Sequence, residues 1–547
     1  MMRLFSVLAL IGFLGGCATT IRYSVESTRI IDSTTDGVVA YEIRTNEERL
    51  GGFLDNWTEI ALLPVDPETG EASEEATYRW IEHVDDQYQR NVFVGAVPAG
   101  TYVIPALYAR YNSYEITQSM NMRIPEIPGR ITVSAGEIAN LGVLLYHPLE
   151  ESTYKDRRLS PFVVSWQENP ALSTVAADVL AREGINGFTA GDAAWLKRDG
   201  AEKLDEFSAD IQASGRPTVA SAGPQGALAV GTRMGSLYLP DTHPGSPALM
   251  PLASEVRAIA ITEDRVYAGG QDVFGYVVPD AETLSWHDVP LPGTNQRVEA
   301  LAMWHGSLFL LTGEQSGYTL WKTEPDSGTF NKIWTGPLVH KNLYDRFEPQ
   351  PALLAIDEQL VLFHDRQRLA LGADGTVKTQ QETPLLRRVH QQPDGRLVAI
   401  MKGAMLGDKP GVSADGGHTW SVPKGSFNLS GRTSIHVITE DDAMLRLNNL
   451  SRVNMSLIGL SKEVEVVDVE RHGANGLAES SHPVDAQCRM PVPELFRNDT
   501  LVLVCSDLSL ATSSDSGATW TRQPFGPQPA PFEQQADPAQ ESESATP

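Results

Sequence analysis

SADGGHTW at residues 413–420 and SSDSGATW at residues 513–520 follow one pattern, Ser-x-Asp-x-Gly-x-Thr-Trp. Each fixed residue has a physical reason to be there. An Asp carboxylate accepts hydrogen bonds from nearby backbone N–H groups and so fixes a tight turn. Gly supplies a backbone conformation that a Cβ resists. Thr suits the strand that follows, and Trp buries a large face beside it. Ser413, Asp415, Gly417, Thr419 and Trp420, and again Ser513, Asp515, Gly517, Thr519 and Trp520, therefore specify a hairpin between outer strands of a sheet.

The flanking sequence repeats the same rhythm. ALAVGTRMGSLYLP, AIAITEDRVYAGG, ALAMWHGSLFLLTG, LLAIDEQLVLFHD, VHQQPDGRLVAIMKG, IHVITEDDAMLRLNN and PELFRNDTLVLVCSD each hold an apolar strand, a polar turn and a second apolar strand. Their spacing, roughly 35–50 residues, is the period of propeller blades. A radial array of four-stranded sheets buries each face against a neighbour and leaves only short edges. The predicted fold is thus all-β, with a seven-bladed β-propeller over residues 215–527.

The two octapeptides resemble the Asp box, or BNR repeat, of sialidases, sortilin-type receptors and photosystem II assembly propellers. In the sialidases these boxes lie away from the catalytic face, so the resemblance implies fold and carries no chemistry. A sialidase also needs an arginine cluster, a Tyr-Glu pair and an acid Asp. Arg123-Ile124-Pro125 echoes that family's Arg-Ile-Pro motif, but it precedes the first blade and reads as coincidence. Arg233, Arg257, Arg297 and Arg366 fall near strand ends of different blades and are placed to converge at a propeller mouth, with ordinary salt bridges as the expected use. Asp85-Asp86 and Asp441-Asp442 are adjacent acids, whereas a glycosidase holds two carboxyls across a bond. His305 and His364-Asp365 lack further ligands at diagnostic spacing, so no metal or cofactor is expected. No phosphate loop, Gly-x-Ser-x-Gly elbow or His-Glu-x-x-His helix appears in the sequence.

At the other end, MMRLFSVLALIGFLGGCATT has an early Arg, an apolar run and small residues before a cysteine, the layout of an export signal. Leu14-Gly15-Gly16-Cys17 resembles the lipobox of bacterial lipoproteins. That resemblance implies cleavage after residue 16, acylation of Cys17 and, with Ala18 next, residence in the outer membrane. The chain has 43 Lys and Arg against 70 Asp and Glu, a formal charge of −27, which disfavours nucleic acid as a partner. Beyond Cys17 only Cys488 and Cys505 remain, and in an oxidising compartment that even number predicts a disulfide.

Residues 17–149 alternate in short strands punctuated by Asp, Gly and Pro, the signature of an antiparallel sandwich. VPAGTYVIPALY and ITVSAGEIANLGVLLY look like the prealbumin-like or carboxypeptidase-regulatory sandwiches, modules that position or bind. Residues 150–214 read as a partly helical linker, with Asn169 and Pro170 starting a helix whose apolar stripe is Leu172, Val175, Ala176, Val179 and Leu180. Residues 528–547 read as a disordered acidic tail. The whole predicts a lipid-anchored envelope protein that is a non-catalytic binding or assembly scaffold, with a protein partner or a glycan at the propeller. The alternative is a sialidase-like glycoside hydrolase or lyase acting on an envelope or extracellular glycan.

Overall fold

The computed structural model describes, with short gaps, residues 31–45, 59–148, 162–191 and 212–527, together with the strands Ile21–Arg22 and Trp195–Leu196. Cys17, residues 528–547 and the Asp85-Asp86 pair lie outside the described residues. The described chain is nearly all β, with one α-helix, α1 (Ala171–Arg182).

The N-terminal part is two packed sheets. Strand Asp36–Thr45 shows why they form one core. Val39, Tyr41 and Ile43 point into the space between the sheets and meet Ile60, Leu62 and Leu107, while Val38 and Ala40 point the other way. That second face is covered by α1 through Leu172, Val175, Ala176, Val179 and Leu180, the stripe read from sequence. The Asn169 side chain accepts the Ala171 N–H at the start of the helix, and Gly184 turns the chain away with φ +72°.

Two expectations change here. The sandwich is not wholly antiparallel, because Asp36–Thr45 runs parallel to Glu137–Pro148 at the centre of the second sheet. A central parallel pair is stable when both faces are covered, and α1 supplies the second cover. The segment 150–214 is also more than a linker. Phe162–Gln167 pairs antiparallel with Glu137–Pro148, Thr189–Ala190 extends the same sheet, and Trp195–Leu196 joins the first sheet through Arg130–Val133.

Seven consecutive sheets follow, spanning 217–249, 258–288, 297–336, 352–382, 386–413, 432–484 and 488–524. Each is an antiparallel meander of neighbouring strands. First strands of successive sheets lie side by side, the fifth and sixth sheets meeting through Leu397–Met401 and Arg432–Ile438. The ring closes where Pro217–Ala222 meets Cys488–Pro491. Among the described residues no strand is exchanged at this seam. Apolar side chains of the first sheet (Leu228, Val230, Tyr238) instead pack on those of the seventh (Val502, Val504, Leu508) and on Phe525.

The fifth sheet departs from the four-stranded expectation. It has three strands, and where the fourth would lie only a single bridge joins Ser421 to Val412. Pro423 has no N–H with which to extend that ladder. In five sheets the register slips between the first two strands, at Pro217/Val219, Val298/Ala300, Arg387/His390, Thr433/His436 and Cys488/Met490. Such bulges re-aim side chains. The sandwich meets the ring where Val143 and Leu145 touch Met234 and Ala253, and where Arg44 donates to the Leu252 carbonyl at 2.6 Å.

Candidate functional site

The two octapeptides form the same turn after the third strands of their sheets. Asp515 Oδ1 accepts the Ser513 hydroxyl and the Thr519 N–H at 2.8 and 2.9 Å, and Oδ2 accepts the Thr519 hydroxyl at 2.6 Å. Asp415 repeats these contacts with Ser413 and Thr419. Gly417 and Gly517 have φ +85° and +93°, and a Cβ on Gly417 would stand 2.4 Å from the Phe363 ring. The first turn also ties its sheet to the one before, and the second is tied back to a loop of its own sheet. Arg368 donates to the Gly416 carbonyl at 2.8 Å, and Ser516 donates through its hydroxyl to Asp499 at 2.6 Å. Every polar atom of the two aspartates is thus directed at the turn.

These bonds favour the ionised carboxylates. The Thr519 hydroxyl, the Thr519 N–H and the Ser513 hydroxyl lower the pKa of Asp515 from 3.8 to about 2. At Asp415 partial burial pushes upward, and bonds from Thr419 and Ser413 outweigh it, again giving about 2. A depressed carboxylate contributes stability that is present above its unfolded value and lost as pH falls through the folded one. Acid unfolding of the protein is therefore expected to include a component between about pH 4 and pH 2 that Asp515→Asn lacks. Parallel acid titrations followed by circular dichroism would sink this expectation if the two curves were superimposable in that window.

The arginines singled out from sequence sit at one end of the ring. Arg257 precedes Ala258–Ile261 and Arg297 opens Arg297–Trp304, both entering first strands. Arg233 and Arg366 occupy turns between second and third strands, which return to the same end. Of the four, Arg257 and Arg297 are brought together. Glu299, the residue displaced by the bulge in Arg297–Trp304, joins them: its Oε1 takes Arg297 at 2.5 and 2.6 Å, and its Oε2 lies 3.8 Å from Arg257. Glu255 adds a contact to Arg257 at 3.4 Å. The result is a chain of alternating charge, Glu255–Arg257–Glu299–Arg297, of which the sequence reading found only the cations. Farther round the ring, the bulge in Leu386–Gln391 sets the exposed Arg388 at φ +51°, beside Arg387, which pairs with Asp408.

Other sequence candidates disperse. His364 is buried against Tyr318 and Trp334, and burial lowers its pKa, so it packs as a neutral ring. His305 is exposed, 4.0 Å from Glu358. Asp442 pairs with Arg396 at 2.9 Å. Arg123 ends a strand of the sandwich, far in sequence from the ring, and Asp441, Ile124 and Pro125 lie outside the described residues. Among the described residues no three His, Cys, Asp or Glu side chains gather as a metal would require. Cys488 and Cys505, directly opposed on antiparallel strands, form a disulfide.

No family model matches the chain, and no curated protein matches it. Solved structures similar to it include YCF48 bound to a D1 peptide, at 12% identity and TM-score 0.34, covering 49% of this chain and 82% of that one. The β-propeller domain of Cps50 (Swd1) from Myceliophteria thermophila aligns at 8% identity and TM-score 0.36, over 56% and 97%. The Pan2 WD40 domain of Neurospora crassa does so at 10% and 0.34, over 50% and 81%. At these identities and scores none carries an argument, and the architecture rests on the strand pairing itself.

Proposed function

We propose that the protein is a lipid-anchored binding or assembly scaffold, held to the bacterial outer membrane through Cys17, whose ring end docks a protein partner. The observation that supports this most is the charge chain at that end. In a chain of net charge −27, Arg257 and Arg297 are fixed by a shared Glu299, with Arg233 and Arg366 on the same end. Cations held in place on an otherwise acidic molecule select an acidic patch and orient its approach. The sandwich, in contact with the ring through Arg44 and Leu145, sets the ring at a distance from the anchor. The two Ser-x-Asp-x-Gly-x-Thr-Trp turns serve as Asp boxes that brace the ring.

The glycoside hydrolase reading draws on the same cluster, since two carboxylates and two arginines meet there. It is the weaker of the two because both oxygens of Glu299 already face guanidinium groups.

Crosslinked capture of the lipidated protein from its native envelope separates the readings. A stoichiometric partner is expected, lost in Cys17→Ser and reduced about tenfold or more by Arg366→Glu with Arg233→Glu, as reversal of two docking charges implies. Capture unaffected by the reversals overturns the docking face. Glycan turnover that Glu299→Gln abolishes replaces the scaffold reading with the hydrolase.

A further inference from the structure

A cavity of about 280 Å³ opens between the loop entering the third sheet and the outer strands of that sheet. Gln296 lines it from the loop, Glu314 from the end of Ser307–Glu314, Trp321 from Gly317–Thr323 and Lys332 from Asn331–Gly336. It adjoins the charge chain of the ring end, since Gln296 precedes Arg297 and Glu314 follows Gly313, the cross-strand partner of Arg297.

The backbone holds this space open. Gly317 has φ +146°, and a Cβ there would stand 2.3 Å from the Gly336 carbonyl oxygen. A Cβ on Gly293 would press on the Gln296 amide at 2.8 Å. Trp321 is cross-strand partner to Lys332, and its indole N–H donates to the Thr312 hydroxyl at 3.0 Å, which fixes the ring plane. Gln296 is anchored on both sides. Its carbonyl accepts the Asp272 N–H at 2.8 Å and the Gln271 amide at 3.3 Å, and its own amide donates to Glu314.

One atom of this arrangement is unaccounted for. Gln296 is 1% exposed, yet its Oε1 has no hydrogen-bond partner among the described residues. A buried acceptor left unmade is costly, and a ligand hydroxyl would satisfy it. The exposed Lys332 ammonium also has no partner among the described residues.

We propose that this cavity binds one sugar ring of a neutral glycan. Glu314 and Lys332 bring opposite charges to the same wall, so neither an anion nor a cation is matched by both. A ring of hydroxyls is matched, because each hydroxyl both donates and accepts. Donation goes to Gln296 Oε1 and the Glu314 carboxylate, and Lys332 donates in return. The Trp321 indole offers a flat apolar face against which the C–H side of a pyranose lies. The volume falls just below the roughly 300–1,000 Å³ of drug-sized pockets, which suits a single ring.

The test uses the full chain in detergent with glucose, galactose and N-acetylglucosamine as probes, and arginine amide and acetate as charged controls. Saturation-transfer NMR and tryptophan fluorescence read binding, and thermal melting checks each variant. At least one sugar is expected to bind, and Glu314→Gln and the exposed Lys332→Met are each expected to weaken it by about tenfold or more, the loss of one hydrogen bond to a charged group. Gln296→Leu, which removes the buried acceptor at similar size, should weaken it as well. The proposal is overturned if no sugar gives saturation transfer, if arginine amide or acetate binds in its place, or if sugar binding survives all three substitutions in folded protein.

Discussion

Phe525→Ala is expected to lower the unfolding free energy by about 3–5 kcal/mol, the range for emptying a buried aromatic site, and to open the ring at one seam. Phe525 is 2% exposed and meets the Tyr238 ring edge-on at 5.4 Å. Its backbone is held as well, its N–H donating to Leu508 and its carbonyl accepting from Gly245 at 2.7 Å. Elsewhere successive sheets are joined by the chain itself. Here the first and seventh sheets are joined by side-chain packing and the Gly245–Phe525 backbone hydrogen bond, so the cavity left by truncation falls where no covalent connection limits the gap. Denaturant unfolding with limited proteolysis would show it, Leu477→Ala at a 67% exposed site serving as control. A Phe525→Ala protein as stable as that control would mean the seam contributes little to closure.

Replacing both cysteines by alanine is expected to cost about 3 kcal/mol. The bridge joins residues 17 apart in sequence, and the crosslink removes conformations from the unfolded chain. Both sulfurs are fully buried in a cluster with Leu445, Val469 and Leu503, so the folded state also loses apolar contacts. The seventh sheet is therefore stapled within itself and packed on the sixth by one face, while the other carries the seam. Equilibrium unfolding of Cys488→Ala/Cys505→Ala against the oxidised parent measures this. A difference under about 0.5 kcal/mol would be that of an ordinary surface substitution.

What could be read from the sequence divides along physical lines. The repeated strand–turn–strand phrases locate the sheets because each sheet is built from neighbouring residues, so its pattern is local. The helix was legible to the residue: Leu172, Val175, Ala176, Val179 and Leu180 are the positions it buries. The cysteine pair was legible because only two remained to bond. The parallel pairing of Asp36–Thr45 with Glu137–Pro148 was not, since partners so far apart leave no turn between them to read. The short strands Phe162–Gln167 and Trp195–Leu196 looked like linker because their partners lie elsewhere. Arg257 and Arg297 could be picked out as cations at strand ends. Glu299 could not, because it sits within an apolar strand and a bulge, invisible in composition, turns it toward them. The cavity escaped for a related reason: Gln296, Glu314, Trp321 and Lys332 share no motif and meet only through sheet register.

The exchange-free seam sets a schedule for synthesis. About 290 residues separate Tyr238 from Phe525, and at 5–20 residues per second a ribosome needs on the order of 15–60 s to cover them. Through that interval the first sheet is complete, and Leu228, Val230 and Tyr238 face no partner. The nascent chain thus carries a greasy flank from an early stage, covered only when its last strand arrives. Any shielding of this flank during synthesis would therefore act before the ring closes.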